Sequence, residues 1–172
     1  MTLSSGQRRY LLVFQCMVPL AINFVLNGII GFVVFRGVDP VPTWGIESSA
    51  GPDLIGTCFF LPAITCLIVT PLVRGHVRSG MVERASRPED LPAWLQPFRR
   101  SLPIRALLFG FVGIALVGGA VAAGLLSAGP GQFGLNSFLW VKASFSAALG
   151  AAVTPIIGLV ALAEGEHRPD SA

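Results

Sequence analysis

Four long apolar runs constrain this chain more than any motif does. Each run reaches the roughly 20 residues that a helix needs to cross about 30 Å of hydrocarbon. None contains Asp or Glu, and Lys142, near the start of the fourth run, is their one basic residue. The runs predict an all-α membrane protein with four transmembrane helices, at Leu11–Phe35, Leu54–Val73, Ala106–Leu126 and Phe138–Leu162.

The composition agrees with this class of protein. The chain is 53% hydrophobic and 12% charged, whereas a soluble domain usually has about 25% charged residues. Four spans use most of the 172 residues, so we expect one membrane domain over residues 1–172. The net charge of +3 does not indicate nucleic-acid binding, because the basic residues are sorted by membrane side.

The distribution of basic residues predicts the orientation. Arginine and lysine in short loops are retained on the cytoplasmic side of a membrane. One side of the predicted bundle holds only Arg36 and Lys142. The other holds ten basic residues, Arg8, Arg9, Arg74, Arg78, Arg84, Arg87, Arg99, Arg100, Arg105 and Arg168. Both termini and the connector, residues 74–105, are therefore expected in the cytoplasm.

The four spans are organised as two predicted helical hairpins. The second helix of each hairpin contains a Val-Thr-Pro triplet, at Val69–Pro71 and Val153–Pro155. Matched triplets and matched topology are consistent with a parallel internal repeat. The other interpretation is that Pro kinks a membrane helix and Thr satisfies a freed backbone group.

Helix one has an unusual polar row. Gln15, Pro19, Asn23, Asn27 and Gly31 recur every four residues, so neighbouring members share a face. An amide facing lipid is costly, and this face should turn toward another helix or a cavity. Asn23 and Asn27 are either ligands for a solute or hydrogen-bond partners of another helix, for example of Thr65 or Thr70.

The connector mixes aromatic and basic residues. Trp94, Phe98, Arg99 and Arg100 are candidates for contact with anionic lipid or a partner. The simpler interpretation is an ordinary loop whose arginines set the topology.

Small residues recur in helices three and four, at Ala115-Gly119-Ala123 and Ala143-Ala147-Ala151. They predict close packing of these two helices or a dimer interface. We expect Asp53 to cap helix two and Asn136 or Ser137 to cap helix four. Lys142 should extend to the outer interface beside Trp140, or else bind an anionic ligand.

Chemical signatures are sparse. The sequence has no nucleophile–base pair, phosphate loop or paired intramembrane carboxylates, and we expect no enzyme activity and no cofactor. Three cysteines lie within the spans, His76 and His167 lie outside them, and no metal site is predicted. A lone loop histidine such as His76 is usually solvated.

Three segments resemble parts of small bacterial inner-membrane proteins without assigned function: Pro19–Gly28, Val41–Gly45 and Leu61–Arg74. The resemblance implies a bacterial inner-membrane location and transfers no activity. Two functions remain open. One is a non-catalytic accessory or interaction subunit, which contacts the bilayer and a second copy or another membrane protein. The other is an oligomeric small-solute transporter or channel lined by Asn23, Asn27, Thr65 and Thr70.

Overall fold

Four long helices account for most of the protein. The computed structural model describes residues 3–84 and 91–164. Its helices are α1 (Ser5–Phe35), α2 (Ala50–Arg78), α3 (Leu102–Ala128) and α4 (Leu135–Glu164), and each is long and apolar enough to cross a membrane. The prediction of four membrane-spanning helices is confirmed by these lengths and compositions. Every helix is longer than its apolar run, because residues that flank the run continue the same helix at one or both ends.

Two of the helices are locally widened. α1 contains a π-helical turn at Val13–Met17, and α3 contains another at Ile114–Gly118. Proline residues lie inside α2 and α4, at Pro62, Pro71 and Pro155, without ending either helix. Both Val-Thr-Pro triplets are therefore helical.

Helix α4 is central in the bundle. It packs along α1 on one side and along α2 on another, and α3 packs on the far side of α2. The order of packing is thus α1, α4, α2, α3. Consecutive helices of the predicted hairpins are not each other's main neighbours, although the chain does alternate in direction. The structure does not show hairpin pairing or an internal repeat.

Two loops meet at one end of the bundle, which we name the loop face. Strand β1 (Val41–Pro42) pairs antiparallel with strand β2 (Gln132–Phe133). The backbone N–H of Thr43 also donates to the Gly131 carbonyl at 3.0 Å. Asp39 Oδ1 accepts a hydrogen bond from the backbone N–H of Leu135 at 3.1 Å, at the start of α4. Asp39 of the other loop therefore caps the N-terminus of α4. The predicted caps, Asn136 and Ser137, lie within the helix instead.

The opposite end, which we name the terminal face, holds the start of α1, the end of α4 and the connector. A 3₁₀ turn at Ala93–Phe98 lies against it. Leu91, Leu95 and Phe98 are buried in the same core as Val73 of α2 and Val160 of α4. The described part of the connector is thus anchored to the bundle by apolar side chains.

Candidate functional site

The polar row of helix one faces α4. Asn23 lies so close to Gly150 that a Cβ there would come within 2.4 Å of the amide nitrogen. Two turns away, Gln15 lies against Gly158, where a Cβ would be 3.2 Å from its side chain. A glycine on α4 thus makes room for each of these amide side chains. The prediction that this face turns toward another helix is consistent with α4 as that helix.

The two asparagine amides donate to the backbone of their own helix. Asn23 Nδ2 donates to the Pro19 carbonyl at 2.8 Å, and Asn27 Nδ2 donates to the Asn23 carbonyl at 3.1 Å. Neither donates to Thr65 or Thr70 within the residues that the structure describes. Their amide N–H groups are therefore partly satisfied without a second helix.

A groove runs between α1 and α2, because both helices pack on α4. Its volume is about 390 Å³, and its lining includes Asn23, Asn27 and Thr65. We call it the α1–α2 groove. Thr70, the fourth predicted site residue, is fully buried away from it, with its hydroxyl 3.7 Å from the Cys66 sulfur. The structure thus brings three of the four candidates to one surface.

A series of side-chain hydrogen bonds lies just beyond the terminal end of the groove. Tyr10 Oη lies 2.8 Å from His76 Nδ1, and Gln15 Nε2 donates to the Tyr10 oxygen at 3.1 Å. His76 is therefore not a solvated loop residue: α2 continues past it to Arg78. This contact joins α1 to α2 one turn beyond the last groove residues, Phe14 and Leu72.

Lys142 does not extend to the outer interface. Its side chain is 3% exposed, and its Nζ lies 2.5 Å from Asp53 Oδ2. The correction has a physical reason, since an ammonium buried among apolar helices needs a counter-charge. Asp53 provides it from the first turn of α2, so it pairs with Lys142, and Ser49 occupies the N-cap position. Gly31 of α1 packs on the Lys142 side chain.

A second buried charge cluster lies near the terminal face. The Arg105 guanidinium is 1% exposed and contacts both carboxylate oxygens of Glu164, at 2.5 and 2.7 Å. Arg105 Nε also donates to the Phe98 carbonyl at 2.7 Å. Arg74 approaches the same carboxylate at 2.8 Å. Glu164 thus links α2, α3 and the connector to the end of α4.

Sequence reasoning missed both charge clusters. The available signal was that each charge lies at the edge of an apolar run. Asp53 immediately precedes the second run, and Glu164 follows the fourth by two residues. Topology places both partners of each pair on the same side, but the pairing itself depends on which helices are neighbours.

The connector candidates differ in exposure. Trp94 is 60% exposed, and Arg99 and Arg100 are exposed. Phe98 is buried and stacks on Phe109 of α3, with ring centroids 4.3 Å apart. Three of the four are therefore available to a lipid surface or a partner, whereas Phe98 anchors the turn.

Residues 3–84 and 91–164 contain no group of three His, Cys, Asp or Glu side chains that could hold a metal ion. All three cysteines are free thiols. The chain matches no protein-family model, and the searches of curated proteins and of solved structures found no match to it.

Proposed function

We propose that this chain is a non-catalytic integral membrane protein that serves as an accessory or interaction subunit. The observation that carries the proposal is the outward-facing small-residue surface of α3. Ala115, Gly119 and Ala123 are exposed, and a Cβ at Gly119 would meet no atom of the described chain within 4 Å. Small residues let helix backbones approach closely, so this surface suits a helix that the described bundle does not supply.

Glycines inside the bundle show the contrast. A Cβ at Gly113 would lie 2.2 Å from the Cys58 carbonyl oxygen, and one at Gly110 would lie 2.8 Å from the Phe59 ring. These glycines are needed where α3 meets α2. Gly119 and Gly124 have no such neighbour in the part of the chain that the structure describes. Packing within the bundle therefore explains why Gly110 and Gly113 are glycines. It does not explain Gly119 and Gly124, which leaves these two for a contact with another molecule.

The proposed setting is a bacterial inner membrane, with both termini and the connector in the cytoplasm. Ten basic residues against two support this orientation. The proposed partner of α3 is a second copy or another membrane protein, and the rest of the surface contacts lipid. Nucleic acid has no part in this function, and duplication of a helical hairpin stays a prediction.

Replacing Gly119 by Leu tests the interaction. We expect the variant to keep the thermal stability of the wild type and to lose its oligomer or complex, measured by cross-linking in bilayers and by size in mild detergent. Gly113→Leu is the matched control and should lose the folded bundle, because its side chain would enter α2. Unchanged assembly of a folded Gly119→Leu variant would refute the proposal.

A second candidate function is passage of a small solute through an oligomer. The α1–α2 groove favours it, since Asn23, Asn27 and Thr65 share one surface within the apolar spans. If these residues line a path, a folded Asn23→Leu/Asn27→Leu variant should lose flux in reconstituted vesicles. Equal flux per folded protein in variant and wild type would reject this alternative.

A further inference from the structure

We infer that the α1–α2 groove binds one acyl chain of an anionic phospholipid, whose phosphate lies at the terminal end of the groove. The inference concerns a different surface from the α3 contact proposed above. It can therefore be confirmed or refuted independently of that contact. Its basis is the size of the groove, the chemistry of its walls and the charge at its end.

The groove is long and narrow. On α1 it extends from Phe14 to Ile30, which at 1.5 Å per residue is about 24 Å. A hydrocarbon chain is about 4 Å thick, because non-bonded carbon atoms approach to about 3.5–4.0 Å. The volume of about 390 Å³ therefore leaves room for one such chain along this length.

An extended hydrocarbon chain advances about 1.25 Å per carbon, from bonds of about 1.5 Å. About 19 carbons therefore fill the groove, close to the length of a common membrane acyl chain.

The walls suit such a chain. Ile22 and Leu26 on α1, and Ile64 and Ile68 on α2, line the groove and remain between 50 and 61% exposed. The groove consequently opens sideways along the spans, and a lipid can enter it from the bilayer. The amide nitrogens of Asn23 and Asn27 donate to carbonyls of α1, so part of the hydrogen-bonding capacity of these two side chains is used within the helix.

The terminal end of the groove is positively charged. The Tyr10–His76 contact lies just beyond it, and Arg9 and Arg78 lie within two residues of that contact along the chain. Together with Arg8 they are exposed. None of the three has an ion-pair partner among the described residues. Guanidinium groups bind phosphate strongly and bidentately, which favours an anionic headgroup at this end.

Native mass spectrometry of the full chain in mild detergent provides the test. Phosphatidylglycerol and phosphatidylcholine with equal chains are titrated separately. We expect one phosphatidylglycerol to bind per chain and to bind more tightly than phosphatidylcholine. Arg8→Gln/Arg9→Gln should weaken it by about 30-fold, the effect expected for two basic residues near a lipid surface. Arg36→Gln removes an exposed positive charge at the loop face, away from the terminal end of the groove, and should leave binding unchanged.

The position of the acyl chain is tested by filling the groove. Thr65→Trp should abolish retention of phosphatidylglycerol, whereas Leu116→Trp adds the same ring on exposed α3 and should not. If Thr65→Trp does not fold, Ile68→Trp at the exposed rim replaces it. Full binding by a folded groove variant, equal affinity for both lipids, or occupation of the groove by a cross-linked protein helix would each overturn the inference.

Discussion

Lys142 of α4 and Asp53 of α2 form an ion pair near the loop face, although they are 89 positions apart in the chain. The pair joins two helices that carry few other charges, and the Lys142 stem also packs on Gly31 of α1. Three helices therefore meet at one ammonium group. Removing either charge leaves the other without a partner in a poorly hydrated place.

Lys142→Met should destabilise the folded protein by about 2–3 kcal/mol. This is less than the usual cost of breaking a fully buried pair, because the Asp53 side chain keeps 20% exposure. Lys142→Met/Asp53→Leu should recover part of the loss, since no charge then remains unpaired. Unfolding in mixed micelles measures both variants, with exposed Arg36→Gln as the control. Additive losses in the double variant would show that the two charges do not interact.

Glu164→Gln should cost more, about 3–5 kcal/mol, because it leaves Arg105 buried beside a neutral amide. The described part of the connector should also loosen, since Arg105 holds the Phe98 carbonyl. Trypsin cleavage after Arg99 or Arg100 should therefore accelerate. Arg74→Gln is the control: the Arg74 side chain is 37% exposed, and its loss should cost about 0–1 kcal/mol. Equal effects of the two substitutions would contradict the central role of Arg105.

The membrane spans could be predicted from sequence because hydropathy alone decides them. The order of packing could not. Apart from the polar row of α1, the helices are apolar on every side. Periodicity therefore does not show which faces meet, and α4 rather than α2 proved to be the main neighbour of α1. Once that order is known, the spacing of Gln15 and Asn23 matches that of Gly158 and Gly150. Neither set of residues identifies the other from one sequence.

The candidate site, like the fold, could be predicted only in part. The polar row identified Asn23 and Asn27, and their position beside a groove agrees with an expected helix or cavity. Thr70 was placed with them only because a hydroxyl in α2 was a plausible partner. Its distance from the groove depends on the rotation of α2 about its own axis, which Pro62 and the close contact with α3 help to set.

Gly150→Ala should destabilise the bundle by about 1–3 kcal/mol, the usual cost of overpacking. The new Cβ would come within 2.4 Å of Asn23 Nδ2. This nitrogen is held by its hydrogen bond to the Pro19 carbonyl. Asn23→Ala in the same chain removes the obstacle and should restore part of the stability. Gly56→Ala, whose Cβ would meet no described atom within 4 Å, controls for the general effect of adding a methyl group to a helix. A tolerated Gly150→Ala would show that Asn23 moves freely.

Labelling of single introduced cysteines tests the proposed orientation. With the native cysteines replaced, an impermeant maleimide added to intact cells should modify cysteine at Gly45 or Gln132, both of which are exposed at the loop face. Cysteine at Ser5, Glu89 or Ser171 should remain unmodified until the membrane is opened. Glu89 and Ser171 lie outside the described residues. Modification of the position-89 variant in intact cells would reverse the assignment.

The central place of α4 has a consequence for biosynthesis. Of the four described helices this one leaves the ribosome last, yet it provides the main contact surface for α1 and one of the two for α2. During translation the first helix must therefore reside in the bilayer without its eventual neighbour. A chain that stops before Leu135 lacks the surface on which α1 settles, and it also lacks the counter-charges of Arg105 and Asp53. Truncated products should accordingly be substrates for membrane proteases, because the packing of α1 and α2 depends on the 30 residues of α4.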